Sequence, residues 1–517
     1  MATEYYVANA PTGSDSNSGL VGFPWETIAK VMSYGSSPGF SPGDNIYFNR
    51  GDTWREQATV LFSGDSGGQI TFGAYGSGDL PQIFGSAAPT SWADQGSNVW
   101  RATCGSDPVG VFFVETDDSV TWGTEDGSPE SEYDWYWSSP YLYCYAITDP
   151  DTRYNSVEAT QREDCFWIQE KSYITVENLE LAYADKYGVR TYDAAHIIVD
   201  GCLIHHFAPK NGGQCDGVMF ERADYCTAKN NTINNCGNHG VFNFTGNGGS
   251  SIGNIIEDNE IWDCYHTLID VQCPNGTHSG PIIRRNLLYF TSDYGAGYAG
   301  NGIYSQGSSS SNKVTNMEIS FNLLYNCDQN GVQIGQYTTT VSIYNNMVCR
   351  HRSGSIYTTN AFFIWGPGIS GVTLKNNIGI DVNGRCLIVQ NSSMITACDY
   401  NLWYNSVGAV YVTVANLSPD DFFAGDFADY KTDTGWDTNG LWEDAQFVNK
   451  AGNDFRIQGG SPCKDAGVDV GLSLDYFGNM VWSGTAPDVG VHEKQQGDIP
   501  TALIRDILLI RDVFVIR

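Results

Sequence analysis

Six side chains in the middle third of this 517-residue sequence carry groups that move protons: Lys210, Asp216, Glu221, His239, His266 and Asp270. Their spacing decides what they do together. Asp216 and His239 each stand directly before a Gly-Val pair, in "DGVMF" and "HGVFN", and His266 opens the related word "HTLID". If these words begin strands on successive turns of a repeat, Asp216, His239 and His266 form a polar column with steps of about 4.8 Å. Carboxylates and imidazoles at one corner support general acid/base work on a glycosidic bond. An eliminating reaction needs instead a base for the sugar C5 proton and a cation to stabilise the enolate-like intermediate. Lys210, Arg190, Arg222 and His239 are the groups available for it.

The same words give two flanking columns. Three residues past the Gly slot come Thr191, Phe220, Asn243, Asp270, Ser305 and Ile334. Strand alternation turns this set toward the core, so its polar members need hydrogen-bond partners there, or else the register is off by one. The opposite alternation carries Arg190, Met219, Phe242, Ile269, Tyr304 and Gln333, a mixed set suited to a shallow groove. Arg190, Arg222, Phe242 and Tyr304 are the expected substrate contacts. Trp135 and Trp137, in the aromatic run "EYDWYWSSPYLYCYAITDPDTRY", join them because an indole face suits the C–H face of a sugar. A plainer account competes at each place. Asp216, His239, Asn301 and Asn330 can simply terminate turns, Glu221 and Asp270 are weaker candidates, and the aromatic run can be a small β-rich insertion packed on the rest.

The elements that position these residues are repeats. "VENLEL", "AKNNTI", "IEDNEI", "IRRNLLY", "ISFNLLY", "IYNNMV", "LKNNIGI" and "CDYNLWYN" set an Asn slot at 178, 231, 259, 286, 322, 346, 377 and 401, and Gly201 fills the slot after Asn178. Asn tolerates tight bends, and its amide reaches the same residue one turn away. A repeat of this length suits three short strands per turn. Before it, Trp25, Ile28, Ala29, Val31 and Met32 predict a short amphipathic helix over the open first turn.

"GSDSNSG…PWETIAKV…PGDNIYFNRGDTW…ITFGAYGSG" resembles the entry segment of right-handed parallel β-helix proteins, a superfamily of polysaccharide lyases and phage spikes. "DYFGNMVWSGTAPDVGVHE" at 475–493 resembles the segment that closes many of them. The resemblance implies an all-β fold, a right-handed parallel β-helix solenoid, here with an N-terminal capping helix and a C-terminal assembly strand. The divisions are 1–60, strand and helical cap; 61–164, early turns with the aromatic insertion; 165–405, the core; 406–493, irregular closing turns; and 494–517, a tail. One solenoid hosts many activities, so the resemblance leaves function open.

The formal charge of −32 argues against a nucleic-acid partner. No stretch has the apolar length of a membrane span, and "MATEYYVANA" does not read as a signal segment. The 14 Cys show no zinc spacing and read as small core residues, with pairing between neighbouring turns left open. No metal or other cofactor is indicated; a Ca2+ ion is allowed but not marked. The tail "IRDILLIRDVFVIR" repeats Ile-Arg every six residues, which fits a strand apolar on both faces. Residues 498–517 therefore read as a surface for self-association or for docking to another protein. Three functions follow: a spike- or fibre-like virion protein that binds, and in some cases cleaves, surface polysaccharide; a secreted polysaccharide lyase or glycoside hydrolase; and a non-catalytic assembly protein. The first two place the protein on a virion or outside the cell.

Overall fold

The computed structural model describes residues 2–208, 214–246, 248–291, 300–351, 359–406 and 411–495. Lys210 and the 498–517 tail lie outside the described residues. Each turn of the solenoid runs through three strands. One turn is Asp164–Gln169, Ser172–Glu177 and Glu180–Ala182, after which Tyr187–Tyr192 returns to the side where the turn began. The strands stack into a first sheet of 12, a second of 14 and a third of 11 among the described residues. Pairing between turns is parallel, as in Ile174↔Ile197 and Leu181↔Ile204, until the first sheet ends in an antiparallel pair, Val412↔Phe422. Inward residues such as Val189, Ile197, Ile204, Val218 and Ile233 are fully buried and form one continuous core. No helix among the described residues is long and apolar enough to cross a membrane.

The ladder of asparagines is the element with the clearest physical cause. Asn231 donates from its amide to Asn259 at 3.0 Å, Asn259 to Asn286 at 3.0 Å, and so on through Asn322, Asn346, Asn377 and Asn401. Each Oδ1 also accepts the backbone N–H of the preceding Asn. Two slots are corrected. Asn178 pairs with Gly201 one residue before the ladder, in a column of bends at positive φ that continues through Asn230, Asp258, Arg285, Asn345 and Asn376. Bending and bonding are therefore divided between adjacent positions.

The cap helix spans Ile28–Ser36 and buries Ile28 and Val31. Its N-cap Thr27 accepts from the Lys30 N–H. Asp15 fixes that cap by accepting from Glu26 N, Thr27 N and Thr27 Oγ1. The aromatic insertion builds a five-stranded sheet with its own core of Trp92, Ala102, Trp135, Leu142 and Cys144. At the far end another helix, Phe427–Thr434, stops at Gly435 with φ 70°. It escaped the sequence reading because Tyr430 is its one buried residue. All 14 Cys are free and buried. Cys236, Cys264 and Cys327 sit beside the glycines of the Gly-Val words, where a Cβ at Gly240 would run into Ile261 and the Leu268 carbonyl.

Candidate active site

The strands His239–Phe244 and Thr267–Cys273 carry the centre of the site on the first sheet. The expected register holds from Tyr187 through Asp216 to His239 and then shifts. His239 pairs with Thr267, and Thr267 with Asn301, so His266 stands one residue before the column. Cys236 and Cys264 share a column, and three residues past them come His239 and Thr267. Leu268 thus takes the Gly slot, which is why a reading aligned on glycine slipped. Val271 replaces Asp270 in the core column, while Asp270 replaces Ile269 outside, between Phe242 and Tyr304. Core-facing Asn243 finds a partner in the Asn254 amide at 2.9 Å.

The shift brings three groups together. His239 Nδ1 lies 2.9 Å from Asp216 Oδ1, and its Nε2 lies 3.1 Å from Asp270 Oδ2. Both carboxylates are fully buried and the imidazole is 4% exposed. Burial alone would drive the proton off His239. The Asp216 and Asp270 carboxylates outweigh it and push its pKa up to about 10. His266 crosses the His239 ring edge-on at a centroid distance of 5.3 Å. Burial, and then the charge on His239, hold its pKa below the ordinary value. Asp216 Oδ2 and Asp270 Oδ1 are buried without a hydrogen-bond partner among the described residues.

A fourth group was missed. Asp164 pairs with Tyr187, which places it two turns before Asp216 in the same column. Burial raises its carboxyl to about 7, with Glu163 adding to the effect. The signal was present: Asp164 precedes Phe166 by two residues, as Asp216 precedes Val218. Tyr187, Met219 and Phe242 form a small apolar cluster outside the sheet, beside these acids.

The remaining candidates occupy other places. Arg190 lies over Trp167 at 4.5 Å and pairs with Glu221 at 3.3 Å, so both are engaged with each other. Arg222 pairs with Asp193 at 2.8 Å and covers Tyr192. Tyr304 neighbours Asp270 on the next turn and donates to Gln306. Trp135 is 2% exposed in the insertion's core, and Trp137 points to the same side. The other face of that sheet carries Tyr136, Tyr141 and Tyr143. Asn301 and Asn330 form a second ladder with Asn360, as turn terminators do.

These features define the class: the chain is a right-handed parallel β-helix protein. A family model described as a right handed beta helix region matches residues 153–348. Among similar solved structures, a pectate lyase is 16% identical, with 96% of this chain and 98% of that one covered at a TM-score of 0.51. A glycoside hydrolase is 11% identical, covering 80% and 96% at 0.52. The XylC complex with xylose is 18% identical, covering 79% and 70% at 0.50. Identities this low establish the shared fold. A comparison with curated proteins finds no match.

The clamp on His239 makes stability depend on pH. Its pKa is about 10 in the folded chain and about 6.5 when unfolded, so its contribution is complete below about pH 6.5 and is lost as pH rises through 10. Urea denaturation between pH 6 and 10.5 is expected to show the wild type losing roughly 2–4 kcal/mol more than His239→Gln over that range. Parallel curves would show that the imidazole is not charged between the carboxylates.

Proposed function

We propose that this chain binds a polysaccharide along the outer face of the first sheet and cleaves a glycosidic bond at the corner of Asp164, Asp216 and His239. The clamped imidazole between two buried carboxylates, each with an unpartnered oxygen, carries the reading. Such groups cost stability wherever they stand, and active sites are where that cost is tolerated. The outer face supplies the binding surface. Trp167, Arg190, Met219, Phe242, Asp270, Tyr304, Gln333 and Phe363 follow one another on it. Seven steps of about 4.8 Å make this strip roughly 34 Å long, with Asp164 on its first turn and Asp216 on its third. The glycoside hydrolase and the pectate lyase with the same fold agree with a polysaccharide substrate.

Asp164, with its pKa near 7, is the proton donor. Asp216 accepts the proton: His239 occupies one of its oxygens and leaves Oδ2 free. Two turns separate donor and acceptor, about 10 Å along the column, close to the spacing that admits a water for inversion. The carboxylates are buried, so contact with a glycan requires the covering chain to shift first. The reaction as proposed runs on side chains alone. Its setting is extracellular, on a secreted protein or on a spike-like virion protein; the acidic charge and the apolar tail favour the virion.

A panel of acidic and neutral polysaccharides is expected to yield new reducing ends without the ultraviolet absorbance of unsaturated sugars. The rate should fall as pH rises through about 7, where the donor loses its proton. Asp164→Asn should lower the rate at least about 100-fold. Full activity in that variant contradicts the assignment, and an unsaturated product makes the reaction an elimination. Removing residues 498–517 should lower the mass found by light scattering; an unchanged mass removes the assembly role of the tail.

A further inference from the structure

His239, His266 and Asp270 each offer one ligand atom, and these atoms lie within 4.8 Å of one another. Asp270 is fully buried, and its Oδ1 has no hydrogen-bond partner among the described residues. Thr267 Oγ1 engages Nδ1 of His266 at 3.1 Å, which leaves His266 Nε2 as the free donor. Asp216 accepts from Nδ1 of His239, so the lone pair able to bind a cation is on Nε2, the atom that faces Asp270. A carboxylate behind a ligating imidazole is the arrangement that fixes the tautomer and raises ligand basicity at metal sites.

We propose that His239 Nε2, His266 Nε2 and the Asp270 carboxylate hold one divalent transition-metal ion of the Zn2+ class, with Asp216 as the outer partner of His239. Two imidazoles and one carboxylate are borderline-soft donors, which favour Zn2+ or Co2+ over Ca2+ and Mg2+. Three protein ligands leave a position for water or a sugar hydroxyl. Bond lengths of about 2.0–2.2 Å require the three donors to draw in by roughly an ångström, and half-buried His266 has the freedom to supply most of that. Binding replaces the Nε2 proton of His239, which leaves to solvent, so the two carboxylates keep a cationic neighbour throughout. Metal binding here is independent of whether the chain cleaves a glycan.

The test is a titration of the full chain with Co2+, read by visible ligand-field absorption, and with Zn2+, read by calorimetry and thermal shift. The expected result is one ion per chain, not displaced by a large excess of Ca2+. His266→Ala should abolish the Co2+ spectrum and the Zn2+-dependent rise in melting temperature while melting normally without metal. Asp216→Asn should weaken binding by about 10- to 100-fold. His196→Gln, which removes a histidine stacked between Tyr173 and Tyr225 away from this corner, should bind as the wild type does. A wild-type spectrum in His266→Ala, equal losses in the two histidine variants, or displacement by Ca2+ would each overturn the proposal. Glycan cleavage that persists in metal-free protein would leave the functional reading standing and confine the ion to a structural part.

Discussion

The whole molecule depends on one distance, the separation of neighbouring strands, and on one interaction that holds it at a corner. The asparagine ladder runs in a single direction. Every side-chain amide donates toward the next turn and every Oδ1 accepts from the turn before, at 2.9–3.1 Å. A chain of buried amides so aligned must end on an acceptor, or its last N–H groups are orphaned at about 1–3 kcal/mol each. It ends on Asp437. This fully buried carboxylate accepts from the Asn401 amide at 2.9 Å, the Trp403 indole at 2.8 Å and the Tyr430 hydroxyl at 2.7 Å. The helix Phe427–Thr434 carries Tyr430 to that carboxylate. A ladder of amides closed by one buried carboxyl group explains why the irregular C-terminal segment is fixed to the last turn.

The candidate site applies the same device at another corner and alters it. Asn301 accepts the Asn330 N–H of the next turn, and Asp216 likewise accepts the His239 N–H at 3.0 Å. Turn termination and chemistry are therefore not alternatives for Asp216. One oxygen closes the turn, and the other is left over. Where asparagine would fill both valences neutrally, aspartate adds a charge that the fold must balance, and His239 balances it. The second carboxylate, Asp270, arrives from the next turn because Leu268 fills the space normally left by glycine and the strand keeps its register from Cys264.

Most of the architecture was legible in the residues because the repeat is written in short words. The Asn slots, the inward alternation and the short helix carrying Ile28 and Val31 all follow local rules. The site was legible in part. Asp216 and His239 stood in line because both words have the same length. Asp270 was assigned to the core because "HTLID" offers no glycine to count from; the cysteine three residues before Thr267 was the better reference. Asp164 was passed over because its strand, "DCFWIQ", begins without the Gly-Val word. Trp135 and Trp137 attracted attention as large aromatics, but alternation within a two-faced sheet turns tryptophans inward and tyrosines outward, and their type alone does not reveal which face is wet.

On this account a glycan lies along the first sheet and meets the acids toward its Trp167 end. The most direct measurement is a crystal structure of the Asp164→Asn variant with an oligosaccharide that the wild type cleaves. The predicted result is a sugar chain running along the column from Trp167 to Phe363, with one glycosidic oxygen beside position 164 and a water between the sugar and Asp216. Density confined to another face, such as the tyrosine surface of the insertion, would contradict the account.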